Sequence, residues 1–167
     1  MYIYNNYQTL LNEAKRIIKI SKQYLGMDTT EDIMEDMTSV VKDEAILVID
    51  DSNLVANFIK KIFDNKYDVY IANDGAKAIE IINGGNADRI KCCLLDLNMP
   101  NVNGFEVLDY FQKNNLFYKM PVSIITGNDT ADSVKNVFNY PVVDLLTKPF
   151  NERDIRRIIE KTLNYYK

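Results

Sequence analysis

The feature that most constrains the fold of this chain is a regular alternation, from Ala45 onward, of short apolar runs with longer amphipathic segments. Each run has the usual length of a β-strand, and most of the runs end in polar or small residues. A continuous apolar run such as Ile46–Ile49 is typical of a strand that is buried on both faces. The predicted strands are Ala45–Ile49, Tyr67–Ala72, Lys91–Leu95, Pro121–Thr126 and Val142–Leu146.

Between these runs, apolar residues recur three and four positions apart, which is the spacing of one face of a helix. The predicted faces are formed by Val55, Phe58, Ile59 and Ile62; Ile79 and Ile82; Phe105, Leu108 and Phe111; Val134, Val137 and Phe138; and Ile155, Ile158, Ile159 and Leu163. Five strands that are each followed by a helix predict a parallel sheet with helices on both faces. The predicted fold class is therefore α/β, a doubly wound five-stranded sheet in the flavodoxin-like order 2-1-3-4-5.

Residues 1–44 stand outside this alternation and are predicted to form an α-helical N-terminal extension, with residues 45–167 as the α/β domain. Apolar residues at helical spacing predict a first helix, and Thr29 with Asp32 resembles a capping box for a second, shorter one. An amphipathic helix of this length is marginal alone. Three interpretations stay open: packing on the chain's own α/β domain, a surface for dimerisation or partner docking, and disorder in solution.

Composition excludes several classes of function. The sequence contains no histidine, which removes His-based acid–base catalysis, Ser-His-Asp arrangements and most zinc sites. A formal net charge of −4 argues against direct binding to nucleic acid, which requires a basic surface. No apolar run approaches the roughly 20 residues of a membrane-spanning helix, and the N-terminus lacks the pattern of a secretion signal. We therefore expect a cytoplasmic protein that does not contact membranes.

Three carboxylates are predicted to meet at one edge of the sheet. Asp50 and Asp51 follow the first predicted strand, and Asp96 follows the third, which is its neighbour in the 2-1-3-4-5 order. An all-oxygen set of ligands suits Mg²⁺ better than zinc or copper. Thr126 and Lys148 lie at the ends of the fourth and fifth strands and are expected at the same edge. A carboxylate nucleophile, a cation, a hydroxyl and an ammonium group are what phosphoryl transfer needs.

These residues form a pattern that resembles the receiver domain of response regulators, the signalling proteins of two-component systems. The resemblance covers about residues 45–167, and the order and placement of its motifs make it specific. The motifs are Ile46–Asp51, Leu95–Pro100 with the sequence LDLNMP, Gly104 with Glu106, Ile124–Gly127, and Thr147–Phe150 with the sequence TKPF.

The resemblance implies a role for each site residue. Asp96 would accept a phosphoryl group from the phosphohistidine of a histidine kinase or a His-containing phosphotransfer protein. Asp50, Asp51, Asp96 and the backbone carbonyl of Asn98 would bind Mg²⁺. Lys148 and Thr126 would contact phosphoryl oxygens, and the peptide bond before Pro149 would be cis. The domain would act as a phosphoacceptor switch rather than an enzyme, because it would catalyse only its own phosphotransfer and autodephosphorylation.

One position departs from the pattern of the family. The family usually has an aromatic residue three positions before the lysine, whereas this chain has Leu145. This change puts in doubt the usual aromatic readout on the face formed by helix 4, strand 5 and helix 5. Asn98 and Asn128, two residues after Asp96 and Thr126, occupy positions where the family tunes dephosphorylation.

Several alternatives stay open. The leading hypothesis is a receiver whose output is a changed contact with a downstream protein, with a homodimer through the N-terminal helices or the helix 4–strand 5–helix 5 face as one form of it. The chain could instead be a pseudo-receiver that is never phosphorylated, or the N-terminal part of a longer regulator with an output domain. A hydrolase of phosphorylated small molecules ranks low, because Asn98 stands where a second, acid–base aspartate would be needed. Asp50 and Asp51 taken alone could merely cap a helix.

Overall fold

A computed structural model describes residue 16 and residues 42–166, except residues 86, 128 and 129. The contacts within the chain divide it into two units, Met1–Val41 and Lys42–Lys167. Apart from Arg16, which is helical and exposed, the predicted N-terminal helices lie outside the described residues. In the second unit the strands are β1 (Ala45–Ile49), β2 (Asp68–Ala72), β3 (Ile90–Leu95), β4 (Val122–Thr126) and β5 (Leu145–Thr147). The helices are α1 (Asn53–Phe63), α2 (Gly75–Asn83), α3 (Gly104–Lys113), α4 (Ala131–Val137) and α5 (Glu152–Leu163).

The five strands form one parallel sheet in the order β2-β1-β3-β4-β5, which confirms the predicted fold class and strand order. Every residue of β1 is fully buried, as expected for a central strand that is covered on both faces. Alternate residues of β1 enter two separate hydrophobic clusters, since successive side chains of a strand point to opposite faces.

Each cluster is completed by helices on one face of the sheet. Ile46 and Val48 of β1 belong to the cluster that contains the buried sides of α1 and α5. Leu47 and Ile49 belong to the other cluster, which contains the buried sides of α2, α3 and α4. The sheet is therefore the middle layer of three, and its edges are left for the loops that carry the polar residues.

Side-chain caps fix where the helices begin. Ser52, Asp74, Asn103, Thr130 and Asn151 each cap the N-terminus of a helix by accepting a hydrogen bond from a backbone N–H in its first turn. Four of these five residues lie within a few residues of a strand end, so the caps keep the strand-to-helix loops short. Short loops of this kind hold the residues at the strand ends in place.

Some of the predicted bounds and faces were wrong. The strands β2, β3 and β4 each begin one residue away from the predicted start. The fifth strand begins at Leu145 rather than Val142, although Val142 and Val143 are buried and the N–H of Val143 donates to the carbonyl of Val122 at 2.8 Å. Phe58 is 37% exposed, and Ala56 lies on the buried side of α1 instead. Phe138 is 55% exposed, because α4 ends at Val137 and Phe138 is its C-cap.

No helix in the described part of the chain is both long enough and apolar enough to span a membrane.

Candidate functional site

The two central strands bring the key carboxylates together. Asp50 follows β1 and Asp96 follows β3, and these strands are hydrogen-bonded neighbours. The ladder continues beyond them: the N–H of Asp96 donates to the carbonyl of Ile49 at 2.8 Å, and the N–H of Asp50 donates to that of Ala72 at 3.0 Å. The backbone of both aspartates is therefore fixed by the sheet rather than by a free loop.

The carboxylates of Asp50, Asp51 and Asp96 form a compact cluster. Each offers an oxygen, and the three oxygens lie within 4.8 Å of one another. Asp50 is fully buried, Asp96 is 4% exposed, and Asp51 is exposed. The N-cap of α1 is Ser52, so capping does not explain the two aspartates before it. An all-oxygen set with one face open to solvent fits Mg²⁺, which keeps several waters when it binds to proteins.

Backbone amides orient the two buried carboxylates. The N–H of Ser52 donates to Oδ1 of Asp50 at 2.8 Å, and the N–H of Asn98 donates to Oδ1 of Asp96 at 3.1 Å. Each amide lies two residues after the carboxylate that it binds, so the same local turn is used twice. The other oxygen of each carboxylate, Oδ2, accepts a hydrogen bond from one shared side chain.

That side chain is Lys148. Its Nζ lies 2.7 Å from Oδ2 of Asp50 and 2.6 Å from Oδ2 of Asp96. Its backbone N–H donates to the carbonyl of Thr126 at 2.9 Å, which ties the end of β5 to the end of β4. The peptide bond between Lys148 and Pro149 is cis, as the resemblance implied.

Burial and charge shift the pKa values of this group. Burial raises the pKa of Asp50 above its ordinary value of 3.8, and the hydrogen bonds from Lys148 and Ser52 offset this effect only in part. Burial alone would lower the pKa of Lys148, but its bonds to Asp50 and Asp96 raise it above 10.5. Lys148 is therefore a cation at neutral pH. It offsets the repulsion between two carboxylates that the fold forces together.

The remaining predicted residues lie at the same edge where the structure describes them. Thr126 is the last residue of β4 and is fully buried. Asn98 is exposed and contacts Asp96 through its backbone N–H. Asn128 lies outside the described residues.

Gly104 positions the backbone of Asp96, and the sequence motif alone did not show why glycine is required there. It is the first residue of α3, and a Cβ there would lie 2.4 Å from the carbonyl oxygen of Asp96 and 2.6 Å from Cα of Leu97. Only glycine lets α3 begin so close to the backbone of Asp96. Glu106 accepts from the backbone N–H of Asn103 at 2.8 Å and so closes a capping box. The spacing of Asn103 and Glu106 is a signal of this box that the sequence already carries.

Leu145, the position that departs from the family, is half-buried in β5. It packs against the cluster that also holds Tyr140 and Phe105. The Tyr140 hydroxyl donates to Asp109 of α3 at 2.6 Å, which raises the pKa of Tyr140 to about 12. Leu145 and the aromatic Tyr140 therefore pack against the same cluster, although Tyr140 lies outside the strand.

Comparison with known proteins agrees with this geometry. A family model described as the response regulator receiver domain matches residues 46–160. The chain is 34% identical over 112 residues to the response regulator ArlR of Staphylococcus saprophyticus, a match that covers 66% of this chain and 48% of that protein. The chain thus spans about half the length of this curated relative.

Solved structures show the same fold. The receiver domain of the Francisella response regulator 1452 is 30% identical, with a TM-score of 0.60, over 71% of this chain and 96% of that one. The Mn²⁺-bound form of the response regulator Rcp1 is 26% identical, with a TM-score of 0.59, over 70% of this chain and 89% of that one. The second similarity is to a protein whose structure holds a divalent cation.

Proposed function

The chain belongs to the response regulator receiver family, and from that premise we propose that Asp96 accepts a phosphoryl group from a phosphohistidine partner in a Mg²⁺-dependent reaction. The observation that carries this proposal is the position of Lys148, whose Nζ lies 2.6 Å from Asp96 and 2.7 Å from Asp50. One ammonium between two nearly buried carboxylates is the arrangement needed to neutralise charge on a transferred group. Asp51 lies in the same cluster.

The proposed step is a transfer between two nucleophiles. An oxygen of the Asp96 carboxylate attacks the phosphorus atom, a P–O bond forms, and the P–N bond of the phosphoimidazole breaks with its electron pair leaving on the imidazole. In hydrolysis, water attacks phosphorus, the acyl P–O bond breaks with its electron pair left on the Asp96 carboxylate, and the phosphoryl group leaves as inorganic phosphate. The protein thus catalyses only its own phosphotransfer and autodephosphorylation.

The other residues of the site have supporting roles in the proposal. Asp50, Asp51 and Asp96 would hold the Mg²⁺ together with the backbone carbonyl of Asn98. When bound, Mg²⁺ neutralises charge on the phosphoryl oxygens. Lys148 contacts one of these oxygens once its bond to Asp96 is released, and the hydroxyl of Thr126 binds another.

We place the contact with the phosphodonor protein on the outer surface of α1. Leu54 is 83% exposed in the first turn of this helix and lies three residues after Asp51. Phe58 is one helical turn further on and is 37% exposed. Large apolar side chains beside the acceptor site suit contact with the apolar surface of a histidine kinase or of a His-containing phosphotransfer protein.

The proposed output is a changed contact with a downstream protein, with no direct binding to nucleic acid or membrane and with a cytoplasmic location. The face of α4, β5 and α5 is one candidate for that contact or for a homodimer, since Phe138, the C-cap of α4, is exposed and Leu145 of β5 is half-buried. We further propose that residues 1–41 are a helical extension that serves dimerisation or partner docking, since residues 42–44 belong to the second unit and are not helical.

The experiment that tests the proposal is phosphoryl labelling of three forms of the full chain: the parent, Asp96→Asn and Asp88→Asn. Asp88 is an exposed aspartate of the short 3₁₀ helix Ala87–Arg89 and serves as the matched control. We expect acetyl phosphate and a phosphorylated phosphotransfer protein to label the parent and Asp88→Asn when Mg²⁺ is present. Asp96→Asn should stay unlabelled.

Full labelling of Asp96→Asn would contradict the assignment of the acceptor. A folded parent that takes no label, and whose binding to a partner is unchanged by Asp96→Ala and by removal of Mg²⁺, would instead establish a non-phosphorylated interaction module.

A further inference from the structure

The start of α2 lies directly against the segment that joins Asp96 to α3. Gly75 is the first residue of α2, and its backbone N–H donates to the carbonyl of Val102 at 3.1 Å. The contact joins elements whose strands are not neighbours, because β2 and β3 lie on either side of β1. It therefore bridges the end of the strand that carries Asp50.

There is no room for a side chain at residue 75. A Cβ would lie 2.5 Å from Cγ1 of Val102, 2.7 Å from Cγ2 of Val107 and 2.8 Å from the carbonyl oxygen of Val102. The backbone of Gly75 is outside the left-handed region, so conformational freedom does not explain the glycine. Alanine would favour the helix by up to about 1 kcal/mol. The close approach to Val102 is what requires glycine here.

The segment between Asp96 and α3 is thus held at both of its ends. Gly104 holds it against the backbone of Asp96, and Gly75 holds it at Val102. Asn98 lies between these two points, and its N–H is bonded to Oδ1 of Asp96. Val102 follows Asn98 in this segment, so the hydrogen bond from Gly75 restrains the backbone on the C-terminal side of Asn98.

We infer that Gly75 is a positioning residue for the phosphoacceptor site, because it lets α2 hold the segment whose backbone supplies Asn98 to the Mg²⁺ ligands. This inference rests on the proposed function for the identity of the ion. Gly75 touches neither the ion nor the phosphoryl group, and it acts only through Val102 and the loop.

The test compares two alanine variants at opposite ends of α2. Gly75→Ala introduces the close contacts at Val102, whereas the Cβ of Gly84→Ala meets the carbonyl oxygen of Ile81 at 3.2 Å, away from the site. We expect the Mg²⁺ dissociation constant of the full chain, measured by calorimetry, to rise about tenfold in Gly75→Ala, as when an outer-shell partner of a metal ligand is lost. Gly84→Ala should bind Mg²⁺ as the parent does.

The labelling rates of Gly75→Ala and Gly84→Ala distinguish a role in positioning the site from a role in the phosphoryl transfer itself. The rate of labelling of Gly75→Ala by acetyl phosphate should approach that of the parent as Mg²⁺ is raised, because Asp96 and Lys148 are intact. A folded Gly75→Ala protein with an unchanged Mg²⁺ dissociation constant would overturn the inference.

A measurement on the parent decides the question even where Gly75→Ala does not fold. In ¹H–¹⁵N spectra recorded during a Mg²⁺ titration, the amide of Gly75 should shift and that of Gly84 should not. If Mg²⁺ binds and the amide signal of Gly75 does not shift, the inference is overturned and the proposed function is unaffected. A responsive Gly75 in a protein that takes no phosphoryl group would overturn only the proposed function, and a parent that binds no Mg²⁺ would overturn both.

Discussion

In the metal-free protein, the ammonium of Lys148 offsets the repulsion between the carboxylates of Asp50 and Asp96. Asp50 is fully buried, and burial raises its pKa even though Lys148 and the amide of Ser52 donate to it. The ionised form of Asp50 therefore costs the metal-free fold free energy relative to the unfolded chain. A bound Mg²⁺ ion, as proposed, would supply the positive charge that one ammonium shared between two carboxylates does not.

A substitution at Asp50 tests this balance. Because its folded-state pKa is raised above 3.8, the folded protein holds the proton more tightly, and the metal-free protein loses stability as pH rises from about that value through the folded pKa. Asp50→Asn should therefore be more stable than the parent without Mg²⁺ at pH 7. The difference should vanish below the unfolded pKa.

The same variant should lose stabilisation by the ion. At a Mg²⁺ concentration of 100 times the dissociation constant, the parent should gain about 2.7 kcal/mol, and Asp50→Asn should gain almost nothing. Urea unfolding at several pH values, with and without Mg²⁺, gives both quantities. A metal-free Asp50→Asn protein that is less stable than the parent at pH 7 would contradict the role of burial.

At the scale of elements, the strand that ends in Thr126 is fastened to α5 by a buried polar pair. The hydroxyls of Ser123 and Thr162 lie 2.6 Å apart, and both residues are fully buried. Thr162 donates to the carbonyl of Ile158 at 2.6 Å, so Ser123 is the donor to Thr162. The two hydroxyls therefore form a directed chain from β4 to the backbone of α5.

This direction of donation predicts that substitutions at Ser123 and Thr162 lower the free energy of unfolding by different amounts. Thr162→Val should lower the free energy of unfolding by about 1–3 kcal/mol, because it leaves the buried hydroxyl of Ser123 without an acceptor. Ser123→Ala, the matched control, should cost only about 0.5–1.5 kcal/mol, because Thr162 keeps its bond to Ile158. The double variant should cost no more than Thr162→Val. Equal costs for the single variants would contradict this direction.

The elements also show what a sequence can predict. Strand order and the meeting of Asp50, Asp51 and Asp96 followed from the alternation of elements, because the carboxyl ends of neighbouring parallel strands meet at one edge of any such sheet. Burial of β1 followed from its continuous apolar run.

Other features depended on contacts that no local pattern encodes. Val142 and Val143 are apolar and buried, and the N–H of Val143 donates to the carbonyl of Val122 in β4 at 2.8 Å, yet the regular strand β5 begins only at Leu145. The contact of Gly75 with Val102 joins residues far apart in sequence. From the sequence alone, a single glycine in a predicted loop, such as Gly75, is typical of an ordinary turn.

For the whole molecule, phosphorylation would redistribute contacts that already connect the site to β5. An acyl phosphate on Asp96 carries more negative charge than the carboxylate that it replaces. We expect Lys148 to exchange its bond with Asp96 for one with a phosphoryl oxygen. Because the backbone of Lys148 is tied to Thr126 and follows β5, this exchange would act on the strand that carries Leu145.

The most direct test of the central claim is to locate the phosphoryl group in the full chain. The protein is incubated with acetyl phosphate and Mg²⁺, the acyl phosphate is reduced with borohydride, and peptides are sequenced by mass spectrometry. Reduction should convert Asp96 alone to homoserine, and omission of Mg²⁺ should leave all aspartates intact. Conversion at Asp50 or Asp51 instead of Asp96, or no conversion in a folded protein that binds Mg²⁺, would contradict the assignment of Asp96 as the acceptor.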